Sequence, residues 1–185
     1  MLQPLMLVVA LSSSSSPAPQ FSLAAGAHLS EAGLAAVLFA NVDVDAKLDS
    51  DEFYRLEFRA SGRGVSSKTS STVDVLVAMR MAFAYVSVGL ATQLHPYLTP
   101  TRTELDFASG PSVGVRLVDR DDLLLRVAFS WLPLGTNFTP SRTIAEVWGA
   151  WRFLGVQLTG APLIFGETVT SRAFFSAAFC VRVQT

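Results

Sequence analysis

The chain has 185 residues, half of them apolar, and a formal net charge of −1, which provides for one core and excludes a large multidomain enzyme. Its arginines are dispersed and form no basic stripe of the kind that neutralises a phosphate backbone, so nucleic acid is excluded as a partner. One cysteine and two histidines leave no intrachain disulfide and no cysteine-cluster or histidine-rich metal site, so any metal would be held mainly by oxygen.

Residues 1–20, MLQPLMLVVALSSSSSPAPQ, place an apolar run from Leu5 to Leu11 before a serine tract, as in a secretory signal peptide, although no Lys or Arg precedes the run. The run is too short to cross a bilayer as a helix. Export is therefore expected, with residues 21–185 forming a single domain. FSLAAGAHL follows, with Phe21, Leu23, Ala25, Ala27 and Leu29 opposed to Ser22, Ala24, Gly26 and His28, the period of an extended strand.

The next stretch, NVDVDAKLDSDEF at 41 to 53, crowds carboxylates into an apolar chain. Numbered from Asn41 as the first position of a twelve-residue loop, Asn41, Asp43 and Asp45 fall at one, three and five. Lys47 at seven offers its backbone carbonyl, Asp49 stands at nine and Glu52 at twelve. Alternate oxygen ligands in a tightly wound loop converge on one hard cation, and a closing glutamate completes the shell. The spacing resembles an EF-hand and implies Ca2+ bound at these six residues, with helical flanks over EAGLAAVLFA and EFYRLEFRA. Ala46 stands where that family has glycine, and no second loop is found to pair with this one. On this reading residues 30–60 are a helical insertion and 61–72, including SSKTSST, a flexible linker. The other reading makes VLFANVDV and FYRLEFRA two strands joined by an acidic turn, because Tyr54, Leu56 and Phe58 also alternate with Phe53, Arg55, Glu57 and Arg59.

From Val73 onward period two dominates. Val73, Val75, Val77, Met79, Met81 and Phe83 oppose Asp74, Ala78, Arg80 and Ala82; LLLRVAFSW and AFFSAAFCVRV repeat the pattern. YVSVGLATQL, SVGVRLV, IAEVWGAWRF and VQLTGAPLIF alternate less cleanly, with Trp148 on the otherwise polar face and Pro162 interrupting the last. Most runs match the roughly 9 to 11 residues of a tilted strand crossing a bilayer. Tight breaks near Ala84, at DRDD and near Leu154 alternate with longer connections in HPYLTPTRTELDFASGP, PLGTNFTPSRT and GETVTSR.

Seven strands from Val73 plus FSLAAGAHL make eight, and an even count closes a barrel without a free edge. The fold class is thus mainly β, an antiparallel up-and-down β-barrel of 8 strands, or 10 if the acidic stretch is a turn. Pattern and connection lengths resemble the small outer-membrane barrels of the OmpA and OmpX type, although the chain ends in VRVQT rather than on an aromatic residue. That resemblance implies a bacterial outer-membrane protein with a lumen filled by side chains, Asp74, Arg80, Arg116, Arg126, Glu146, Arg152 and Arg182 among them.

No nucleophile motif, phosphate loop or zinc site appears in the sequence, so a non-enzymatic role is expected: a membrane anchor or interaction module that contacts outer-membrane lipid, binds calcium, and meets an exterior protein or surface ligand. The alternative is a secreted or periplasmic soluble calcium-binding β-protein with a small-ligand cavity.

Overall fold

The computed structural model describes residues 19–30, 33–48, 54–66, 71–98, 103–119, 123–135, 142–161 and 174–184. They form β1 (Gln20–Ser30), β2 (Gly33–Lys47), β3 (Tyr54–Ser66), β4 (Ser71–Phe83), β5 (Val86–Leu98), β6 (Thr103–Asp119), β7 (Leu123–Leu132), the two-residue β8 (Leu134–Gly135), β9 (Arg142–Trp151), β10 (Leu154–Ala161) and β11 (Phe174–Gln184). Every pairing is antiparallel, and each long strand pairs with the next, β7 passing directly to β9 while β8 adds two residues against β6. β1 also pairs with β11, in register from Gln20↔Gln184 to Ser30↔Phe174. Ten strands therefore close on themselves, with β8 as an appendage.

This corrects the eight-strand count and the helical insertion. Among the described residues the flanks of the acidic stretch are strands, β2 and β3, paired from Ala36↔Ser66 to Lys47↔Arg55. Their physical preference follows from the sequence: Val37, Val42, Val44 and Val65 are β-branched, and the alternation continues through both segments. The expected linker is sheet as well, since residues 61–66 end β3 and 71–72 begin β4. The long connection expected at 95–111 is mostly strand too: β5 runs to Leu98 and β6 begins at Thr103, carrying Pro111 on its outer face. The expected signal peptide lies outside the described residues up to position 18.

Both described chain ends lie at one end of the barrel. The two-residue turns Ala84–Tyr85 and Arg152–Phe153, the DRDD connection and the acidic segment between Lys47 and Tyr54 lie there as well. Ala84 and Arg152 open their turns with φ of 52° and 53°; this left-handed conformation lets a two-residue loop follow the right-handed twist of its strands. We call this the short-turn end. The strand ends that flank 31–32, 67–70, 99–102, 133–141 and 162–173 are at the opposite end, called the long-loop end after the last two.

Side chains obey the period of two, but with polarity inverted relative to a water-soluble sheet. On β4, Val73, Met79, Met81 and Phe83 are exposed outward while Asp74, Leu76, Ala78, Arg80 and Ala82 are buried inward. Leu23, Leu38, Leu90 and Phe179 likewise face out and are exposed, whereas Ser22, Asn41, Asp43, Arg59, Gln93, Ser112, Glu146 and Gln157 face in and are buried. Two apolar clusters complete the lumen, one around Phe39, Leu124 and Trp148, the other around Leu76, Leu132 and Ile144.

Closure depends on close backbone approach at Gly26. A Cβ there would sit 2.0 Å from the Ala177 carbonyl oxygen across the β1–β11 seam, whereas at Gly64 it would meet nothing within 4 Å. Gly26→Ala should cost roughly 1–3 kcal/mol and shrink the compact, heat-sensitive band in unheated electrophoresis; Gly64→Ala should leave that band intact. Equal bands for the two variants would contradict a seam at Gly26.

Candidate functional site

The lumen holds the only extended set of titratable groups among the described residues, and it is organised in layers. At the short-turn end, β2 contributes Asp43 and Asp45, β3 Glu57 and Arg59, β4 Arg80, β6 Arg116, β7 Arg126, and β9 Glu146 and Trp148, each within five residues of its strand end. Alternation aims them inward, and the antiparallel register sets Asp45, Glu57 and Arg80 side by side on three adjacent strands.

Arg116 is the centre of this layer. Its Nε donates to Glu57 Oε1 at 2.7 Å and its Nη2 bonds Asp45 Oδ2, which also accepts from Arg126 Nη2 at 3.2 Å. Arg59 Nη1 reaches Asp43 Oδ1 at 3.5 Å and Nη2 lies 3.8 Å from Glu146 Oε1. The Trp148 ring sits beneath two cations, 5.5 Å from the Arg59 guanidinium carbon and 6.0 Å from that of Arg126. Low dielectric strengthens such pairs, yet each ion also loses hydration, so their net worth depends on complete partnering.

A neutral layer follows. Asn41 donates from Nδ2 to Ser22 Oγ at 3.1 Å and to Gln157 Oε1 at 2.9 Å, and its Oδ1 accepts from Ser61 Oγ at 2.6 Å. Near the long-loop end, Arg63 pairs with Asp74 through both Nε and Nη2, and His95 Nδ1 bonds the other Asp74 oxygen. Arg63 also stacks on the Phe174 ring at 3.9 Å, and His28 Nδ1 lies 2.9 Å from Ser176 Oγ.

Of the six residues read as calcium ligands, Asn41, Asp43, Asp45 and Lys47 belong to a strand. Asn41, Asp43 and Asp45 stand on the inner face of β2, where the offsets of one, three and five place them on one side of a strand. Asp43 Oδ1 accepts from Arg59, and Asp45 Oδ2 from Arg116 and Arg126. Lys47 ends β2, while Asp49 and Glu52 lie outside the described residues. Among the described residues no three His, Cys, Asp or Glu side chains are grouped to hold a metal ion.

Of the inward charges expected from sequence, Asp74, Arg80, Arg116, Arg126 and Glu146 are in the lumen. Arg152 instead occupies a turn, its guanidinium carbon 5.4 Å from the Trp151 ring centre, and the side chain of Arg182 lies outside the described residues. Sequence reasoning missed Arg59 and Arg63 as lumen residues, although the alternation of Arg55, Glu57, Arg59, Ser61 and Arg63 along one strand face was the signal.

Comparisons with protein-family models, with curated proteins and with solved structures each give no match.

Removing Arg116 takes the ion pair from Glu57 and leaves Asp45 with Arg126. Arg116→Met should lower unfolding stability in detergent micelles by about 3 kcal/mol or more. The double variant Glu57→Gln/Arg116→Gln should lose less than the sum of its single changes. Strict additivity would mean the pair carries no coupling.

Proposed function

We propose that the chain is a non-enzymatic integral β-barrel of a bacterial outer membrane, serving there as an anchor or interaction module. The observation that carries this reading is the inversion of polarity. Exposed Leu, Val, Phe and Met side chains cover the outside of every long strand from β1 to β7, and again β10 and β11. A protein in water would leave this surface unsatisfied, since contiguous apolar patches beyond a few hundred Å² are rare on soluble monomers. In hydrocarbon the same surface is at home, and a closed ring satisfies the backbone without water.

The ends of the barrel support an orientation. Outer-membrane barrels turn tightly on the periplasmic side and carry longer connections outside. The acidic segment, the tight turns and both described chain ends would then face the periplasm, with the long-loop end outside as the place for a protein or surface-ligand contact. The layers of ion pairs and the apolar clusters fill the lumen, which argues against a general diffusion pore. Calcium is no part of this proposal, because the first three oxygen ligands already have partners in the lumen.

Phe179 tests the membrane reading against the soluble alternative. It lies mid-way along β11, faces outward and is 81% exposed. Phe179→Arg should cost about 2–4 kcal/mol for a barrel folded in phospholipid bilayers. An unchanged stability, together with a monodisperse monomer in detergent-free buffer, would favour the soluble protein. Orientation is open to a separate check, since Cys180, the native thiol, is buried. Ser50→Cys in the acidic segment should resist a membrane-impermeant maleimide in intact cells and react after lysis; labelling in intact cells would reverse the assignment of ends.

A further inference from the structure

The charged layer at the short-turn end is not fully paired. Arg80 is 5% exposed, yet its guanidinium makes one hydrogen bond, from Nε to Ser112 Oγ at 2.8 Å, and no ion pair among the described residues. Ser112 is itself bonded to Ser130 Oγ at 2.8 Å, so it offers Arg80 no charge. Glu57, across from it on β3, and Glu146 act on Arg80 through space without a direct ion pair, and burying a guanidinium with its N–H groups incompletely bonded costs several kcal/mol.

Arg80 does not face solid protein. It lines a chamber in the lumen whose wall also includes Arg59, Arg116, Arg126, Asp43, Glu57 and Glu146. Small side chains keep this space open: Gly114 and Ala128 form part of the wall, and a Cβ on Gly114 would lie 2.6 Å from Ser87 Oγ and 3.6 Å from Arg80 Cδ. The volume open to the centres of water-sized bodies is about 30 Å3, room for about two of them.

The unmet valences around this space are mostly donors. Arg59 Nε and Nη2, Arg80 Nη2 and Arg126 Nε are buried without an acceptor, against one carboxylate oxygen, Asp45 Oδ1, without a donor. Four arginines face three carboxylates on the wall. The fourth carboxylate, Asp45, gives its other oxygen to Arg116 and Arg126 and does not serve Arg80. With Asp45 counted the layer holds four of each charge, so what is missing is a small hydrogen-bond acceptor that reaches the unmet guanidinium N–H groups. Next to the chamber the side chains of Asp45 and Arg126 are 28% and 18% exposed, against 5% for Arg116.

We propose that this chamber binds one compact anion, a halide or a small carboxylate, held by Arg80 with the free N–H groups of Arg59 and Arg126. A cation is disfavoured because the unmet groups around the space are mostly donors, and a large organic anion by the volume. The site lies inside the barrel and stands whether or not the outer face meets lipid.

Trp148 lines the chamber and can report on it, whereas Trp131 and Trp151 are exposed on the outside. The full chain carrying Trp131→Phe and Trp151→Phe, folded in detergent micelles, would be titrated with iodide at constant ionic strength. The expected result is quenching of Trp148 that saturates and is displaced by chloride or acetate. Adding Arg80→Gln should raise the half-saturating iodide concentration about tenfold or more, the worth of a charge-assisted hydrogen bond. Quenching that rises linearly without saturation, or is unmoved by chloride and acetate, would overturn the proposal and leave water as the occupant. Saturation that survives Arg80→Gln unchanged would overturn the assignment to Arg80. Should Arg80→Gln not fold, the titration and competition on the Arg80-containing protein still decide whether the anion binds.

Discussion

Everything in this barrel follows from the pairing of β1 with β11. Eleven residue pairs, Gln20↔Gln184 through Ser30↔Phe174, join the two ends of the described chain into a continuous ring. Without that seam two strand edges would present unpaired N–H and C=O groups, which water can satisfy and hydrocarbon cannot. With it, the backbone makes no further demand on its surroundings, and side chains alone decide what lies on either side of the wall. The small residues that let the seam close, Gly26 against Ala177 and Ala178, are therefore as structural as any apolar contact.

Once the ring is closed, strand periodicity divides the sequence into two surfaces, and this division was legible. The alternation in Val73 to Phe83, in LLLRVAFSW and in AFFSAAFCVRV is that of β4, β7 and β11, with the same residues facing outward. FSLAAGAHL is β1. Trp148 looked misplaced because an aromatic ring was expected outside; the structure keeps it inside, where two guanidinium groups flank its ring.

The acidic stretch was misleading for a geometric reason. An EF-hand ligates from positions one, three and five, and a strand presents those same offsets on one face. Asn41, Asp43 and Asp45 satisfy either rule. The discriminating feature lay downstream, where Arg55, Glu57, Arg59, Ser61 and Arg63 put a polar side chain at every second residue, as one face of a returning strand requires. An EF-hand's exiting helix would put Glu57 and Ser61 on the side opposite Arg55, Arg59 and Arg63. Pairings across the lumen were not legible at all. Arg116 meets Glu57 and Asp45 from 59 and 71 positions away, and only barrel closure brings them together.

An ionic lumen also contributes something that an apolar one cannot. The net stability of buried pairs is small, because lost hydration offsets most of the attraction. Their value to this fold lies in the cost of the alternatives. Slipping a strand by one residue exchanges its two faces. In β3 that slip would turn Arg55, Glu57, Arg59 and Arg63 outward and bring Tyr54, Leu56 and Phe58 into the lumen. In the membrane reading each misplaced arginine near the bilayer midplane costs about 2–4 kcal/mol, while Asp43 would lose Arg59, Asp74 would lose Arg63 and Arg116 would lose Glu57 at the same moment. Had the lumen been lined with Leu and Val, the slipped strand would have exchanged one apolar face for another at little cost. The charges that seemed out of place in an apolar chain thus set the register against which its apolar residues face outward.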